Sequence, residues 1–371
     1  MRYYLIAGER SGDLHAGNLA RELIKRDPEA VIRGFGGEYM RDAGVDIAVH
    51  YKELAVMGFW EVITSLRKIS RYLNRCKEDI VAFNPDVVIL VDFGGFNKQI
   101  AAWVKKRRTM QVFFYISPKV WAWNQKRALK LKATVDRMFV ILPFEKDFYK
   151  KFDWDVDYVG NPVLDAVRKH RTDDEFPKRH KLSGDKPVVA LLPGSRKQEV
   201  TNIGSVMAGI VSNFPEVQFA VATVDNLDPG VYQPFIDANV TLVNEDTYNL
   251  LSYSRAAVVT SGTATLETAL FNVPQVVVYI TSGFSYAIAK SLIQVPFISL
   301  VNLIAGKEVV KELIQKDLTV SRLSEELRKI LHDGPGRTAM LASYNAIYES
   351  LNIGSASENA AEKMISYLKQ R

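Results

Sequence analysis

The chain has 371 residues, of which 47% are hydrophobic and 24% are charged, a composition typical of a folded globular protein and not of a disordered one. This length suits two domains of ordinary size. The single cysteine, Cys76, excludes an internal disulfide, and no stretch has the pattern of a metal site, a signal peptide or a bilayer-spanning helix. We therefore expect a cytoplasmic protein without a cofactor or bound metal, for which any membrane role would be peripheral.

The formal net charge is +6, and the positive charge is concentrated in one part of the chain. Ten lysines and arginines, Lys126 among them, lie between Phe93 and Val135, a stretch without Asp or Glu. Such a block attracts phosphorylated substrates, anionic lipid or nucleic acid, although solvated helix faces have the same composition. The chain has no recognised nucleic-acid-binding motif, so we expect no nucleic-acid partner.

The first half of the chain alternates predicted strands with predicted helices. Val87–Val91 is a continuous apolar run, as expected of a strand buried on both faces of a parallel sheet. The other predicted strands are Arg2–Ala7, Val31–Phe35, Val45–Val49, Val112–Ile116 and Met138–Leu142, and the predicted helices are Leu14–Lys25, Gln99–Lys106, Gln125–Thr134 and Phe144–Lys151. This alternation predicts a doubly wound α/β domain over residues 1–168.

Residues 169–187 are polar and charged, and we interpret them as a linker. A second alternation follows, with predicted strands at Val188–Leu192, Val217–Thr223, Val240–Val243, Ala256–Thr260 and Gln275–Ile280. It predicts a second Rossmann-like domain over residues 188–350. A helix follows in 351–371, and we expect it to pack back on the first domain, with the first domain of a partner chain as the open alternative. Ligands of open α/β sheets bind beyond the carboxyl ends of the strands, so the sequence predicts a site in a cleft between the domains.

Two strand-end loops of the first half carry carboxylates. Gly8-Glu9-Arg10-Ser11-Gly12-Asp13 lacks the Gly-x-Gly-x-x-Gly spacing of a dinucleotide site, which disfavours NAD. Its Glu9 and Asp13 could hydrogen-bond sugar hydroxyls, or Ser11 or Asp13 could cap the helix. Asp92 ends the strand Val87–Val91, before Phe93-Gly94-Gly95-Phe96-Asn97. It is well placed as a general base, and the alternative is again a helix cap.

Two stretches of the second half predict a nucleotide-diphosphate site. In Ser261-Gly262-Thr263-Ala264-Thr265-Leu266-Glu267, a turn leads into a helix whose first N–H groups and dipole suit a phosphate. Glu267 lies one turn further and could bind a ribose diol. Leu191-Leu192-Pro193-Gly194-Ser195-Arg196 lacks P-loop spacing, but its guanidinium could grip a pyrophosphate. The alternative in both cases is an ordinary strand–turn–helix.

Two apolar stretches could form binding surfaces. Ser117-Pro118-Lys119-Val120-Trp121-Ala122-Trp123-Asn124 places two tryptophans after a strand, where a binding wall competes with core packing. Leu54-Ala55-Val56-Met57-Gly58-Phe59-Trp60-Glu61-Val62-Ile63 is unusually apolar and leads into several basic residues. That pattern is typical of an interfacial membrane contact or a lipid groove, and also of a buried helix with a charged outer face.

Together these stretches resemble the lipid-A-disaccharide synthases, a family of inverting glycosyltransferases with the two-Rossmann-domain GT-B fold. The most specific are Glu53-Leu54-Ala55-Val56-Met57-Gly58 and the two tryptophans, and the resemblance extends to Leu142-Pro143-Phe144-Glu145-Lys146 and Val301-Asn302-Leu303-Ile304-Ala305-Gly306. There are two departures. The family usually has a proline in the segment from Asp92 to Asn97, where this chain has Gly95, and Gly-His-Pro where this chain has Gly160-Asn161-Pro162.

The resemblance implies transfer of 2,3-diacylglucosamine from UDP-2,3-diacylglucosamine to 2,3-diacylglucosamine 1-phosphate on the cytoplasmic face of the inner membrane, with Asp92, Glu9 or Asp13 as the base. No metal is required, and a homodimer is left open. The residues expected at the acceptor are Ser11, Gly12, Asn97, Trp121, Trp123, Lys126, Asn161 and Asn302. The residues expected at UDP are Gly194, Ser195, Arg196, Ser261, Gly262, Thr263, Ala264, Thr265 and Glu267. The residues expected at acyl chains or the membrane are Val56, Met57, Phe59 and Trp60.

Two alternatives stay open on the sequence alone. A UDP-N-acetylglucosamine 2-epimerase, or a GT-B transferase with a soluble acceptor, would share the nucleotide half but would not need the apolar stretch. A non-catalytic nucleic-acid-binding module would account for the basic charge alone.

Overall fold

The computed structural model describes residues 1–55, 62–107, 109–182, 184–281 and 295–370. The chain divides into two compact units, the first formed by Met1–Pro162 with Asn352–Arg371 and the second by Val163–Leu351. Each unit contains one parallel sheet, so the prediction of two Rossmann-like α/β domains is confirmed. None of the described helices is long and apolar enough to cross a membrane.

Seven parallel strands form the sheet of the first unit, in the order β3-β2-β1-β4-β5-β6-β7. The strands are β1 (Arg2–Ala7), β2 (Val31–Gly36), β3 (Asp46–His50), β4 (Val87–Val91), β5 (Gln111–Tyr115), β6 (Arg137–Val140) and β7 (Asp157–Tyr158). The strand order reverses between β1 and β4, which pair directly. Open α/β sheets bind ligands at such a reversal, and here Glu9 follows β1 and Asp92 follows β4.

The helices of the first unit cover both faces of its sheet because their apolar residues recur at helical spacing. On α1, for example, Ala16, Leu19, Ala20 and Leu23 are buried. The helices up to β7 are α1 (Arg10–Arg26), α2 (Glu38–Asp42), α3 (Tyr51–Ala55), α4 (Val62–Phe83), α5 (Gly94–Arg107), α6 (Val120–Trp123), α7 (Arg127–Lys132) and α8 (Phe144–Lys150). The short helices α2 and α3 carry no periodic signal and were not predicted.

Six parallel strands form the sheet of the second unit, in the order β10-β9-β8-β11-β12-β13. They are β8 (Val188–Leu192), β9 (Gln218–Thr223), β10 (Thr241–Asn244), β11 (Ser254–Thr260), β12 (Gln275–Tyr279) and β13 (Lys311–Ile314). The order reverses between β8 and β11, where Pro193 and Ser261 begin the two candidate phosphate loops. The edge strand β13 was missed because Lys311 and Glu312 interrupt its apolar pattern, as is common at sheet edges.

The remaining helices follow the same alternation. They are α9 (Pro162–Lys169), α10 (Phe176–Arg179), α11 (Lys197–Gly209), α12 (Gln233–Asp237), α13 (Thr247–Ser252), α14 (Thr263–Leu270), α15 (Leu300–Ala305), α16 (Val320–Leu331), α17 (Pro335–Leu351) and α18 (Ala356–Lys369). The last of these, α18, returns to the first unit, where Ala360, Ala361 and Met364 are buried in the same core as Leu19 of α1.

Candidate active site

The loops after β1 and β4 meet at the strand-order reversal of the first unit. Asp92 and Phe93 have φ angles of +47° and +44°, in the left-handed region that is uncommon for residues other than glycine. The amide of Asp92 still donates to the carbonyl of Tyr115, with a nitrogen–oxygen distance of 3.1 Å. A Cβ atom on Gly8 would lie 2.3 Å from the ring of Phe93, so this close approach of the two loops requires glycine.

The Asp92 side chain lies between charges of both signs. Burial raises the pKa of Asp92, the charge of nearby Glu9 raises it further, and the ammonium of Lys119 opposes both effects. Glu9 itself is exposed, and its Oε1 accepts a hydrogen bond from Ser11 Oγ at 2.9 Å. The structure therefore brings together Glu9, Ser11, Asp92 and Lys119. A half-buried carboxylate with a raised pKa has the properties of a general base.

Asp13 has a different environment from the other two carboxylates. It is fully buried, and its oxygens accept hydrogen bonds from the amides of Gly37 at 2.6 Å, Tyr39 at 3.0 Å and Met40 at 3.2 Å. These amides belong to the first turn of α2, whose N–H groups have no partner within the helix. Asp13 therefore caps a helix other than its own, which corrects the expectation that it faces sugar hydroxyls or is the base.

Asn97 and Gly12 support the backbone of the same loops. Asn97 is fully buried, and its Nδ2 donates to the carbonyl of Asp92 at 2.9 Å, with longer contacts to those of Val91 and Ile6. Gly12 is buried where a Cβ atom would be only 3.5 Å from that of Ala7. Both were expected to bind substrate, and in the structure Asn97 holds α5 against the ends of β1 and β4, while Gly12 is buried in α1.

The tryptophan loop is packed over a buried carboxylate. Trp121 is 4% exposed, and its Nε1 donates to Oε1 of Glu145 at 3.2 Å. Oε2 of Glu145 accepts from the amides of Ile141 at 3.2 Å and Leu142 at 3.0 Å. Burial raises the pKa of Glu145 to about 7, against the effect of these donors. The indole of Trp121 is therefore a core side chain and not a binding wall.

Three further expected acceptor residues differ in their surroundings. Trp123 ends α6, and Lys126 is exposed just before α7. Asn161 is buried, and its Nδ2 donates to the carbonyl of Ile141 at 3.0 Å. Of Lys126 and Asn161, Lys126 has the side chain that a ligand could reach without rearrangement.

In the second unit, the loop after β8 is organised around Glu199. Its Oε2 accepts from the amides of Ser195 at 3.1 Å and Arg196 at 3.2 Å. Gly194 has a φ of +107°, and a Cβ atom there would lie 2.4 Å from the same carboxylate. The Arg196 side chain is 82% exposed and contacts Glu199 Oε1 at 3.1 Å. Glu199 thus fixes the loop through its backbone amides, while the guanidinium of Arg196 is exposed to solvent.

The loop after β11 leads directly into α14. Ser261 Oγ donates to the carbonyl of Ile298 at 2.8 Å, and Thr265 Oγ1 donates to that of Gly262 at 2.8 Å. Thr263 is exposed and Ala264 is half-buried. The exposed start of the helix can therefore accept an anion at its free N–H groups.

Glu267 lies one turn into α14 and has a partner that the sequence did not reveal. Tyr248 donates its hydroxyl hydrogen to Glu267 Oε1 at 3.0 Å. Burial raises the pKa of Glu267, and this hydrogen bond opposes the rise. Among the described residues, Tyr248 is the only hydrogen-bond partner of the Glu267 side chain, so Oε2 is left for a ligand.

Asn302 does not belong to this group. It is fully buried, and its Oδ1 accepts from the amides of Val309 at 2.7 Å and Val310 at 2.9 Å. Its Nδ2 donates to the carbonyl of Val310 and to Glu312 Oε1, both at 2.9 Å. The amide thus has no hydrogen-bonding capacity left, which corrects the expectation that Asn302 binds substrate.

Sequence reasoning missed Glu145, Tyr248 and Lys119 as members of these clusters. Glu145 and Lys119 lie in stretches that carry the family resemblance, which was the available signal. Tyr248 lies 19 residues before Glu267 in an unremarkable helix, so no local pattern could identify it. The expected membrane residues Val56, Met57, Phe59 and Trp60 lie outside the described residues.

Comparison with known proteins shows which protein family this chain matches. Residues 3–365 match the model of the family described as Lipid-A-disaccharide synthetase. The lipid-A-disaccharide synthase of Syntrophus aciditrophicus is 39% identical over 374 residues, which cover 99% of this chain and 97% of that protein.

Solved structures show the fold at much lower identity. The glycosyltransferase of kitacinnamycin has a TM-score of 0.69 at 12% identity, with 99% of both chains covered. The UDP-GlcNAc 2-epimerase of Methanocaldococcus jannaschii has a TM-score of 0.62 at 12% identity, with 99% of this chain and 100% of that chain covered. Because both identities are so low, these likenesses concern the fold alone, and they confirm the predicted GT-B class.

Proposed function

The chain belongs to the lipid-A-disaccharide synthetase family and is a glycosyltransferase, and from this premise we propose that it transfers 2,3-diacylglucosamine from UDP-2,3-diacylglucosamine to 2,3-diacylglucosamine 1-phosphate. The products are UDP and the β-1,6-linked disaccharide 1-phosphate. The acceptor hydroxyl displaces UDP in one step, which inverts the anomeric carbon. In this proposal the first unit binds the acceptor and the second unit binds UDP.

In our proposal Asp92 removes the proton from the acceptor hydroxyl as that oxygen attacks. The observation that carries this assignment is the half-buried carboxylate at the strand-order reversal, whose pKa is raised by burial and by Glu9. A raised pKa makes the carboxylate a stronger base towards a hydroxyl. Asp13 is left out because its oxygens accept three backbone hydrogen bonds, and Glu9 is kept as the carboxylate that tunes Asp92.

The second unit would bind UDP through the two loops at its own strand-order reversal. The exposed guanidinium of Arg196 and the start of α14 would stabilise the negative charge that grows on the leaving diphosphate. Glu267 Oε2 would accept a hydrogen bond from the ribose while Tyr248 holds Oε1 at 3.0 Å. These groups act most strongly in the transition state, where the bond to UDP is breaking.

The test of this reaction is acceptor-dependent UDP release by the wild type and by Asp92→Asn. Asparagine is preferred to alanine at this position because it tolerates a positive φ. We expect the substitution to lower release by about 10²- to 10⁴-fold, the usual contribution of a general base. Asp86→Asn is the matched control. Asp86 precedes β4 and therefore lies at the opposite end of that strand from Asp92, where it accepts a hydrogen bond from the amide of Arg2 at 2.8 Å.

Two results would contradict the proposal in different ways. Full activity of Asp92→Asn together with loss of activity in Glu9→Gln would transfer the role of base to Glu9. Conversion of UDP-N-acetylglucosamine by the wild type, without any acceptor-dependent UDP release, would replace the transferase reaction with epimerisation.

We also propose that the protein contacts the inner-membrane surface peripherally through the apolar stretch that includes Val56, Met57, Phe59 and Trp60. Both substrates carry acyl chains, and apolar residues beside basic ones favour an anionic lipid surface. Co-sedimentation with vesicles containing anionic lipid would test this. Sedimentation that is unchanged by Phe59→Asp and Trp60→Asp would rule the contact out.

A further inference from the structure

Three cations that form no ion pair with any described residue lie on the elements that follow Asp92. Lys98 is on α5, Lys119 precedes α6, and Arg127 begins α7. Within the described part of the chain, none of the three forms an ion pair. Other cations of the same helices do have partners, since Lys105 pairs with Asp136 and Lys132 donates to two backbone carbonyls.

Lys98 is the unusual member of this cluster because it is half-buried. A Cβ atom on Gly94 would lie 3.9 Å from Lys98 Nζ and 3.1 Å from Cβ of Pro118. The ammonium therefore lies over the start of α5, beside the loop that carries Lys119. Burial and the charge of nearby Arg127 both lower the pKa of Lys98.

A half-buried ammonium that lies near a second, exposed cation is less favourable than one beside an anion, and a bound anion would offset this cost. The chain has no Asp or Glu between Phe93 and Val135, so these elements supply no such anion themselves. A bound ligand with two negative charges would supply it. A phosphate monoester carries nearly that charge at neutral pH, and an arginine can bind it through two parallel hydrogen bonds.

The position of Lys98 and Arg127 relative to Asp92 restricts the class of ligand further. Gly94 lies two residues after Asp92, so their Cα atoms are no more than about 7 Å apart. Lys119 follows Pro118, which lies beside Gly94, and its charge acts on Asp92. A ligand bound at both places would therefore present a hydroxyl to Asp92 and a phosphate to Lys98.

We propose that Lys98 and Arg127 bind the phosphate of a sugar 1-phosphate while another hydroxyl of the same sugar faces Asp92. This inference rests on the proposed function, since it assigns the 1-phosphate of the acceptor to two named side chains. It predicts that a phosphorylated acceptor binds more tightly than the same sugar without phosphate.

Direct binding tests this site without depending on turnover. The probes are glucosamine 1-phosphate and glucosamine, titrated into the whole protein at low ionic strength and followed by NMR or calorimetry. We expect the wild type to bind the phosphorylated sugar more tightly. Lys98→Gln and Arg127→Gln should each weaken that binding by about 10- to 100-fold, the usual effect of losing a hydrogen bond to a charged group.

Lys130→Gln is the matched control, because Lys130 is exposed on the same helix as Arg127. It should leave the binding of glucosamine 1-phosphate unchanged. Lys98→Arg, which keeps the positive charge, should restore most of the affinity that Lys98→Gln loses. The thermal midpoint of Lys98→Gln should not fall, since the substitution removes an uncompensated charge, and weaker binding would then not be due to unfolding.

Three outcomes would overturn the phosphate site. They are equal binding of the two sugars by the wild type, unchanged binding in both glutamine variants, and an equal loss in Lys130→Gln, which would indicate attraction by surface charge alone. Failure of the proposed function would be seen separately, as no acceptor-dependent UDP release by the wild type. In either case, the binding measurement tests whether Lys98 and Arg127 bind the phosphate.

Discussion

The pair formed by Asp92 and Glu9 illustrates how single residues set the chemistry of this protein. Both follow strands that end at the same strand-order reversal, and the negative charge of Glu9 raises the pKa of Asp92. The effect of Glu9 is electrostatic and therefore does not require Glu9 to touch the substrate. Ser11 Oγ donates a hydrogen bond to Glu9 Oε1 at 2.9 Å, and its loss would leave the negative charge of Glu9 in place.

At this residue scale we predict that Glu9→Gln shifts the pH dependence of kcat/KM. Asp92 acts as a base only when deprotonated, so kcat/KM falls as pH drops through the pKa of Asp92. Removal of the Glu9 charge lowers that pKa, so the acidic limb of the profile should move to lower pH. Ser11→Ala keeps the charge and should leave the limb in place. An unchanged acidic limb in Glu9→Gln would mean that Glu9 does not raise the pKa of Asp92.

At the scale of single elements, Asp13 shows that a carboxylate in a candidate site loop can have a structural role. It connects α1 to α2 through three amide hydrogen bonds, and it is fully buried. The short α2 (Glu38–Asp42) has a single buried residue, Met40. A cap from a neighbouring helix therefore contributes much of what keeps α2 folded.

We predict that Asp13→Ala lowers the free energy of unfolding by about 3 kcal/mol, because buried amides lose a charged acceptor. Urea denaturation followed by circular dichroism measures this. Asp42→Ala, at the exposed end of α2, should change the free energy of unfolding by less than about 0.5 kcal/mol. If Asp13→Ala unfolds like the wild type but loses acceptor-dependent UDP release, Asp13 acts at the substrate and not as a cap.

At the scale of the whole molecule, the first unit is built from both ends of the chain. Residues of α18 are buried in the core around α1 and β1, and Asn359 Nδ2 donates to the carbonyl of Val159 at 3.1 Å. Tyr367 donates to Asp157 Oδ2 at 2.9 Å, beside an ion pair of Asp157 with Lys363 at 3.0 Å. The core of the first unit therefore depends on residues that follow the whole of the second unit in the sequence.

We predict that Met364→Ala lowers the free energy of unfolding of the first unit by about 2–4 kcal/mol, since it leaves a cavity in a closed core. Glu362→Ala, on the exposed face of the same helix, should change it by less than about 0.5 kcal/mol. Hydrogen exchange of β1 and β4 amides, compared with β8 and β11, measures the effect on each unit. Equal loss of protection in both sheets would show that α18 does not stabilise the first unit selectively.

Much of the fold follows from local patterns. Val87–Val91 and Val188–Leu192 were predicted with the bounds that the structure has, because buried parallel strands are continuous apolar runs. Helices and strands without such a signal were missed, as in α2 and β13. The family resemblance also came from short stretches, because a loop motif is identified from residues that are adjacent in the sequence and does not require the tertiary structure.

The sequence by itself determined the fold class, the family and the strand-end loops that carry Asp92, Arg196 and Glu267, because these depend on residues close together along the chain. Only the tertiary structure decided which polar residues are used by the scaffold and which remain for a ligand. Asp13 and Asn302 satisfy backbone groups, whereas Lys98 has no counter-ion in the described part of the chain. That distinction depends on hydrogen-bond partners and burial contributed by distant segments, which no local pattern encodes.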